Sequence, residues 1–362
     1  MEEINQVQKA GKEAQQYQIG NITINSGITE ERARAVFDEM IPQALANYTQ
    51  EAYKTANERV NKLEERIMPR LEKVEGLLPS FADPAFHVLL RKAQNKAAVT
   101  ERESDYDLLT ELLICHVQKG NDRKKRVGID KAIEIIDFID NDALCALTIA
   151  FVTRAFLPVT GNVEMGISIL NQMYQELIYE KLPVGDSWMD HLDILGTIRI
   201  TPFSSVNKIE EIIANSLDGY VAVGIKRDSA DYFKATQLLQ TVGLSNNILV
   251  ANEFLQDYVK LEIRNVDAIS QLSIINDKIS RPINQKEVDI LKEIVKLYDD
   301  NSELKTKVKE KFFLRFDSYD SLKKLHEWWN SIEGSFSITE VGRIIAYINA
   351  KRCIPELPDI LA

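Results

Sequence analysis

Gln16-Tyr-Gln-Ile-Gly-Asn-Ile-Thr-Ile-Asn25 runs through Ser26-Gly27-Ile28 into Thr29-Glu-Glu-Arg-Ala-Arg-Ala-Val-Phe37 and a continuous amphipathic pattern as far as Val74. In the first ten residues Tyr17 and Ile19 share one parity, and Ile22 and Ile24 share the other. A two-residue turn at Gly20-Asn21 resolves the break, because it sets Ile19 opposite Ile22 and Tyr17 opposite Ile24 on one apolar face. A hairpin this short needs cover from another copy or from the body. The plainer alternative is a loose chain end.

Thr29 is a suitable N-cap, and Glu30 and Glu31 place negative charge at the positive end of the helix dipole. Phe37, Ile41, Leu45, Tyr48, Ala52, Ala56, Leu63, Ile67, Leu71 and Val74 then recur in steps of mostly four, four and three. This pattern predicts one long amphipathic helix within 28–78, kinked at Pro42 and Pro69. A stripe of this length outreaches an ordinary globular helix, so the expectation is an intermolecular bundle of coiled-coil type. Packing on the chain's own body is the alternative. The residues expected to carry oligomerisation are Tyr17, Ile19, Ile22 and Ile24 in the β segment and Phe37, Ile41, Leu45 and Tyr48 in the helix.

The remaining pattern is helical, divided here into a helical domain over 79–200 and a second over 201–362 with a small β element. Helices are predicted over Pro84 to Lys96, Asp105 to Lys119, Asp130 to Ile139, Asp142 to Phe156 and Val163 to Tyr179, with Asp142 and Asn162 as N-caps. Gly219-Tyr-Val-Ala-Val-Gly-Ile-Lys226 and Asp257-Tyr-Val-Lys-Leu-Glu-Ile-Arg264 match one another and alternate like strands, which suggests that they pair. Helices return over Gln285 to Tyr298, Ser302 to Phe313 and Ser318 to Trp329, and Thr339 caps a last one. The expected fold class is mainly α: a short N-terminal β segment, a long amphipathic helix and a helical body with a minor β component.

With 362 residues and 45% hydrophobic content the chain can bury a substantial core. A net charge of −11 and a pI near 5.1 argue against a chain that coats nucleic acid. No apolar run reaches membrane-span length: Ala143 to Val152 is broken by Thr148 and followed by Arg154. The polar, acidic N-terminus does not resemble a signal peptide. Cys115, Cys145 and Cys353 are odd in number and widely spaced, as in a reducing compartment, so the expected location is the cytoplasm.

Neither phosphate-binding glycine signature is present, and His87, His116, His191 and His326 lack metal-ligand spacing; no cofactor is expected. Cys115-His116 has a nucleophile beside a base, but neighbours on a helix point about 100° apart. Asp130, Glu134 and Asp137 share a helical face that could hold Mg²⁺, or could simply face solvent. Asp257, Glu262 and Arg264 offer a nuclease-like acidic pair and base without the usual lysine. Arg123-Lys-Lys-Arg126 is the one compact basic run, read as a loop tip that could alternatively contact phosphate or anionic lipid. His326-Glu-Trp-Trp329 could present an aromatic platform, although buried packing is the simpler reading.

Three stretches carry a resemblance: Gly20-Asn-Ile-Thr-Ile-Asn25 before a helix; Phe81-x-Asp-Pro-Ala-Phe86 with Asp107-Leu-Leu-x-Glu-Leu-Leu113 and Ile129-Asp-Lys-Ala-Ile-Glu134; and Phe336-x-Ile-Thr-x-Val-Gly342 with Ile345-Ala346. Together they resemble a poorly characterised bacterial family, similar in its middle and end to abortive-infection alpha-type proteins. The resemblance implies an intracellular, mainly helical protein connected with defence against bacteriophage, and it brings no catalytic residue. The expectation that follows is an oligomerising, non-enzymatic sensor or scaffold whose partner is a second defence protein or a phage component. The alternative is an effector enzyme, a nuclease with an unfamiliar site. Membrane contact has no support in the hydropathy.

Overall fold

The computed structural model describes residues 28–119, 122–202, 204–276 and 279–360. Tyr17, Ile19, Ile22 and Ile24 lie outside the described residues. The first helix, α1 (Glu30–Ala44), opens as expected, with Thr29 Oγ1 accepting from Arg32 N at 3.2 Å. It does not continue to Val74. Pro42 has no N–H to donate, the chain turns over 45–48, and Thr49 caps a second helix, α2 (Gln50–Ile67). Pro69 then sits in a single 3₁₀ turn, Met68–Arg70. The long helix is thus two helices, and each break has a proline at or just before it.

The stripe faces the chain's own body. Phe37 is fully buried, Leu45 is 1% exposed and Ile41 is 6% exposed, while Tyr48 packs half-buried against the same core. Phe37, Ile41 and Leu45 have no free apolar face for a second copy, so the expected bundle through them is corrected to intrachain packing, which Tyr48 joins with part of its ring. After α3 (Leu77–Ser80), the helices that cover the stripe are α4 (Pro84–Val99) and α5 (Glu103–Lys119). Buried Gln94 on α4 donates to the Phe37 carbonyl at 3.1 Å. Lys62 and Arg66 on α2 and Arg70 in the 3₁₀ turn that follows it, spaced by four, meet Glu103, Asp107 and Glu111, spaced by four on α5. The pairing advances in one direction, so α2 and α5 run parallel. Each exposed pair contributes only about 0–1 kcal/mol, and the ladder chiefly sets register.

The body continues through α6 (Arg123–Ile135), α7 (Asn141–Ala155), α8 (Val163–Leu177) and α9 (Ser187–Ile194). Asn162 caps α8 by accepting from Met165 N at 3.0 Å, whereas Asp142 lies inside the first turn of α7. Next come β1 (Ile198–Thr201), α10 (Ile209–Ser216), β2 (Ile225–Lys226), α11 (Ala230–Thr241), β3 (Leu249–Ala251) and β4 (Tyr258–Leu261). They are followed by β5 (Ser273–Asn276), β6 (Ile279–Pro282), α12 (Gln285–Val295), α13 (Ser302–Phe316), α14 (Asp320–Asn330), β7 (Ser335–Ile338) and α15 (Glu340–Cys353). The protein is mainly α with small antiparallel sheets. The two matching segments do pair: β2 and β4 are antiparallel, with Ile225 opposite Val259, in a sheet of order β2-β4-β3.

Residue 200 is not a division between cores. β1 pairs with β7, Ile198 opposite Ile338, and Phe312, Phe336 and Ile345 share the large core with α1 to α9. The segment between residues 225 and 298 has a smaller core of its own, with Leu239, Val259, Leu261 and Leu291 packed between α11, α12 and the three-stranded sheet. Its hairpin, β5 with β6, is tied down by Glu287 at the start of α12. The Glu287 carboxylate accepts from Arg281 at 2.5 and 2.9 Å and from Asn284 N at 2.8 Å, closing a capping box. The Arg281 guanidinium, joined by the Asn284 N–H and opposed by burial, holds this carboxyl at about 2, below its ordinary 4.5. A depressed folded-state pKa contributes stability that is present above pH 4.5 and lost as the pH falls towards 2. Glu287→Gln should therefore lower the melting temperature at pH 6, with the gap to wild type closing towards pH 3; a gap that is constant with pH would overturn this.

Candidate functional site: a cationic cleft

The side chains singled out in the sequence mostly take structural partners. Asp130 and Glu134 hold Lys92 at 2.7 and 2.9 Å, and Asp137 holds Lys96 at 2.9 Å, so the acidic face is an ion-paired seam between α4 and α6. Asp257 takes a left-handed turn (φ 63°), its carbonyl accepting from Arg227 N, while Glu262 accepts from Asn162 and Arg264 donates to Gln271. The three serve separate contacts. Cys115 is buried, and burial pulls the pKa of the His116 ring down. Trp328 and Trp329 are buried and donate to the Pro183 and Asn207 carbonyls. The aromatic platform is packing.

Two further titratable groups are spoken for. Lys260, 1% exposed on β4, gives its three N–H bonds to Glu253 at 3.0 Å, Gly219 O at 3.1 Å and Tyr220 O at 3.2 Å. His326 lies between Asp317 at 2.7 Å and Glu210 at 3.1 Å. Burial alone would lower its pKa, and the two carboxylates outweigh that and raise it.

The basic run is not a loop tip. Arg123 to Arg126 form the first turn of α6, and Asp122 caps it by accepting from Lys124 N at 2.9 Å and Lys125 N at 3.3 Å. Four cations at the positive end of a helix oppose the dipole, and the Asp122 carboxylate offsets only part of that. α6 is pressed against α15 at Gly128, where an added Cβ would lie 2.8 Å from Ile344 Cδ1. The close crossing brings the first turns of α6 and α15 beside the last turn of α7.

Between them lies a cleft of about 430 Å³ lined by Lys125, Phe151, Arg154, Ala155, Ser337, Ile338, Glu340, Arg343 and Ile360. Two guanidiniums, those of Arg154 and Arg343, and the Lys125 ammonium line it with the Glu340 carboxylate. Lys125 has a partner of its own. The Arg343 side chain has no hydrogen-bond or ion-pair partner among the described residues, and the Arg154 guanidinium has only the Trp329 ring, 5.9 Å away. Both side chains are exposed. Phe151, Ile338 and Ile360 give the cleft an apolar wall. Sequence reading reached Lys125 through the basic run but missed Arg154 and Arg343. Arg154 had appeared only as the charge that ends an apolar run.

A second cleft, about 660 Å³ in the smaller core, has an apolar lining that includes Leu244, Ile263 and Leu291. Its charged residues, Arg281 and Glu262, are already engaged by Glu287 and Asn162.

Fold and cleft define a mainly helical protein whose described residues include a recess lined by Arg154 and Arg343. A protein-family model whose description names no activity matches residues 27–359, and the chain belongs to that family. No curated protein and no solved structure matches.

Proposed function

We propose that the chain is a non-enzymatic, oligomerising sensor or scaffold of a bacterial anti-phage system, working in the cytoplasm, that recognises an anionic partner through the cationic cleft. The convergence of Arg154 and Arg343 on one recess carries this reading, because guanidiniums without carboxylate partners are costly to gather unless an anion is their counterpart. The anti-phage role rests on the resemblance in the Phe81, Asp107, Ile129 and Phe336 stretches, and α15 and its Phe336 motif form one wall of the cleft. Self-association is assigned to Tyr17, Ile19, Ile22 and Ile24, since the helical stripe is occupied within the chain. The alternative, an effector nuclease, has Asp257, Glu262 and Arg264 committed to separate contacts.

The test is plaque formation on cells carrying the gene with its native neighbours. Arg154→Glu with Arg343→Glu should abolish protection while leaving the melting temperature near wild type, because both side chains are exposed and neither has a carboxylate partner. Full protection by the double variant would overturn the reading.

A further inference from the structure

We infer that His326 is a proton-operated clamp: as an imidazolium it ties the first turn of α10 to the C-terminal end of α13, and loss of its proton loosens the entry to α10. Its Nδ1 lies 2.7 Å from an oxygen of Asp317, the residue that ends α13, and its Nε2 lies 3.1 Å from an oxygen of Glu210 in the first turn of α10. Ionised carboxylates only accept, and a neutral imidazole has a single N–H to give, so it would set a lone pair against one of them. The imidazolium donates to both. Its side chain is 16% exposed and the Phe313 and Phe316 rings stand 5.7 and 6.5 Å away, so these pairs are screened less than surface ones.

The clamp acts on the way into and out of the smaller core. α10 carries the chain from the large core towards that segment, and α13 brings it back. Other residues of α14 hold the same entry: Trp329 Nε1 donates to Asn207 O at 2.9 Å, Asn330 Nδ2 donates to the second Glu210 oxygen at 2.9 Å, and Asn330 Oδ1 accepts from Ile209 N at 3.0 Å. Among these contacts His326 alone has a proton to lose near neutrality. Asp317 and Glu210 are the charges that act on the ring; burial would lower its pKa from 6.5, and the two carboxylates outweigh burial and raise it. Lys323 and Glu327 on α14 pair with each other, and Glu164 on the neighbouring α8 is taken up by Arg315. A raised folded-state pKa contributes stability that is present in full below pH 6.5 and is lost as the pH climbs through the folded value. The clamp is closed in acid and opens on the alkaline side.

NMR of the full chain with ¹⁵N-labelled histidine tests this, since the chain has four histidines and His326→Gln assigns the signal. The His326 ring should hold both N–H protons below its titration and titrate above pH 6.5, and Glu210→Gln or Asp317→Asn should each bring the titration back towards 6.5. In hydrogen exchange from pH 6 to 9, corrected for the intrinsic rate, the amides of α10 should lose about tenfold in protection for each pH unit by which the ring titrates above 6.5. His326→Gln should show no such loss. A ring that titrates at or below 6.5, carboxylate variants that leave its titration unmoved, or α10 protection that falls as steeply in His326→Gln as in wild type would overturn the clamp.

Discussion

Replacing Ile41 and Leu45 together with Asp should unfold the chain and should not release a folded monomer. Both side chains lie in the large core, at 6% and 1% exposure, on the face of α1 covered by α4. Their removal forfeits about 1.5–3 kcal/mol of apolar burial at each position. The incoming carboxylates have no cation within the stripe, and an unpaired buried charge costs several kcal/mol more. The total is comparable to the whole stability of a typical domain, about 5–15 kcal/mol. Circular dichroism should show loss of the cooperative melt, and light scattering should show expanded or aggregated chain. A well-folded double variant of reduced mass would restore the intermolecular bundle and overturn the burial described here.

The stripe also shows where sequence reading stops. Spacing of apolar residues states that a face is covered, and it is silent on whether the cover comes from the same chain. What favoured another copy was length, and the length was an artefact of reading through residues 45–48, where the helix ends and Thr49 starts the next. Pro42 and Pro69 had flagged both breaks. Local chemistry was legible elsewhere: Thr29, Asn162 and Thr339 cap helices as their hydroxyl and amide groups predict. The start of α6 was missed because a run of arginines and lysines is a poor helix opening; Asp122 makes it one. The pairing of β2 with β4 was visible as a matching pattern, although only two residues of the first segment become strand. The cleft was not legible. Lys125, Arg154 and Arg343 come from three helices far apart in the chain, and only the packing of α6 on α15 unites them. A lone arginine at a helix end reads as a solvated charge until its surroundings are known.

Gly342→Ala should destabilise the protein and loosen the cleft together. Gly342 sits in the first turn of α15, where Thr339 both caps the helix and donates its hydroxyl to the carbonyls of Gly196 and Thr197, 2.7 and 3.0 Å away. A Cβ on Gly342 would lie 2.0 Å from the Thr197 carbonyl oxygen and 2.9 Å from Ile338 Cγ2. That oxygen is backbone at the entrance to β1, which is fixed by its pairing with β7, so neither partner of the clash can swing aside. The first turn of α15 must move away from β1, at a cost of about 1–3 kcal/mol or more. Arg343 is the next residue and Ile338 lies across the turn, so the movement displaces two walls of the cleft. Gly128→Ala is the matched control: its added Cβ meets the mobile end of the Ile344 side chain at 2.8 Å, which can rotate. Thermal melts should place Gly342→Ala well below Gly128→Ala, and anion binding should weaken more in the former. Melting of Gly342→Ala with the wild type would show that α15 has slack at its N-terminus. The close approach of α15 to β1 would then not be what positions Arg343.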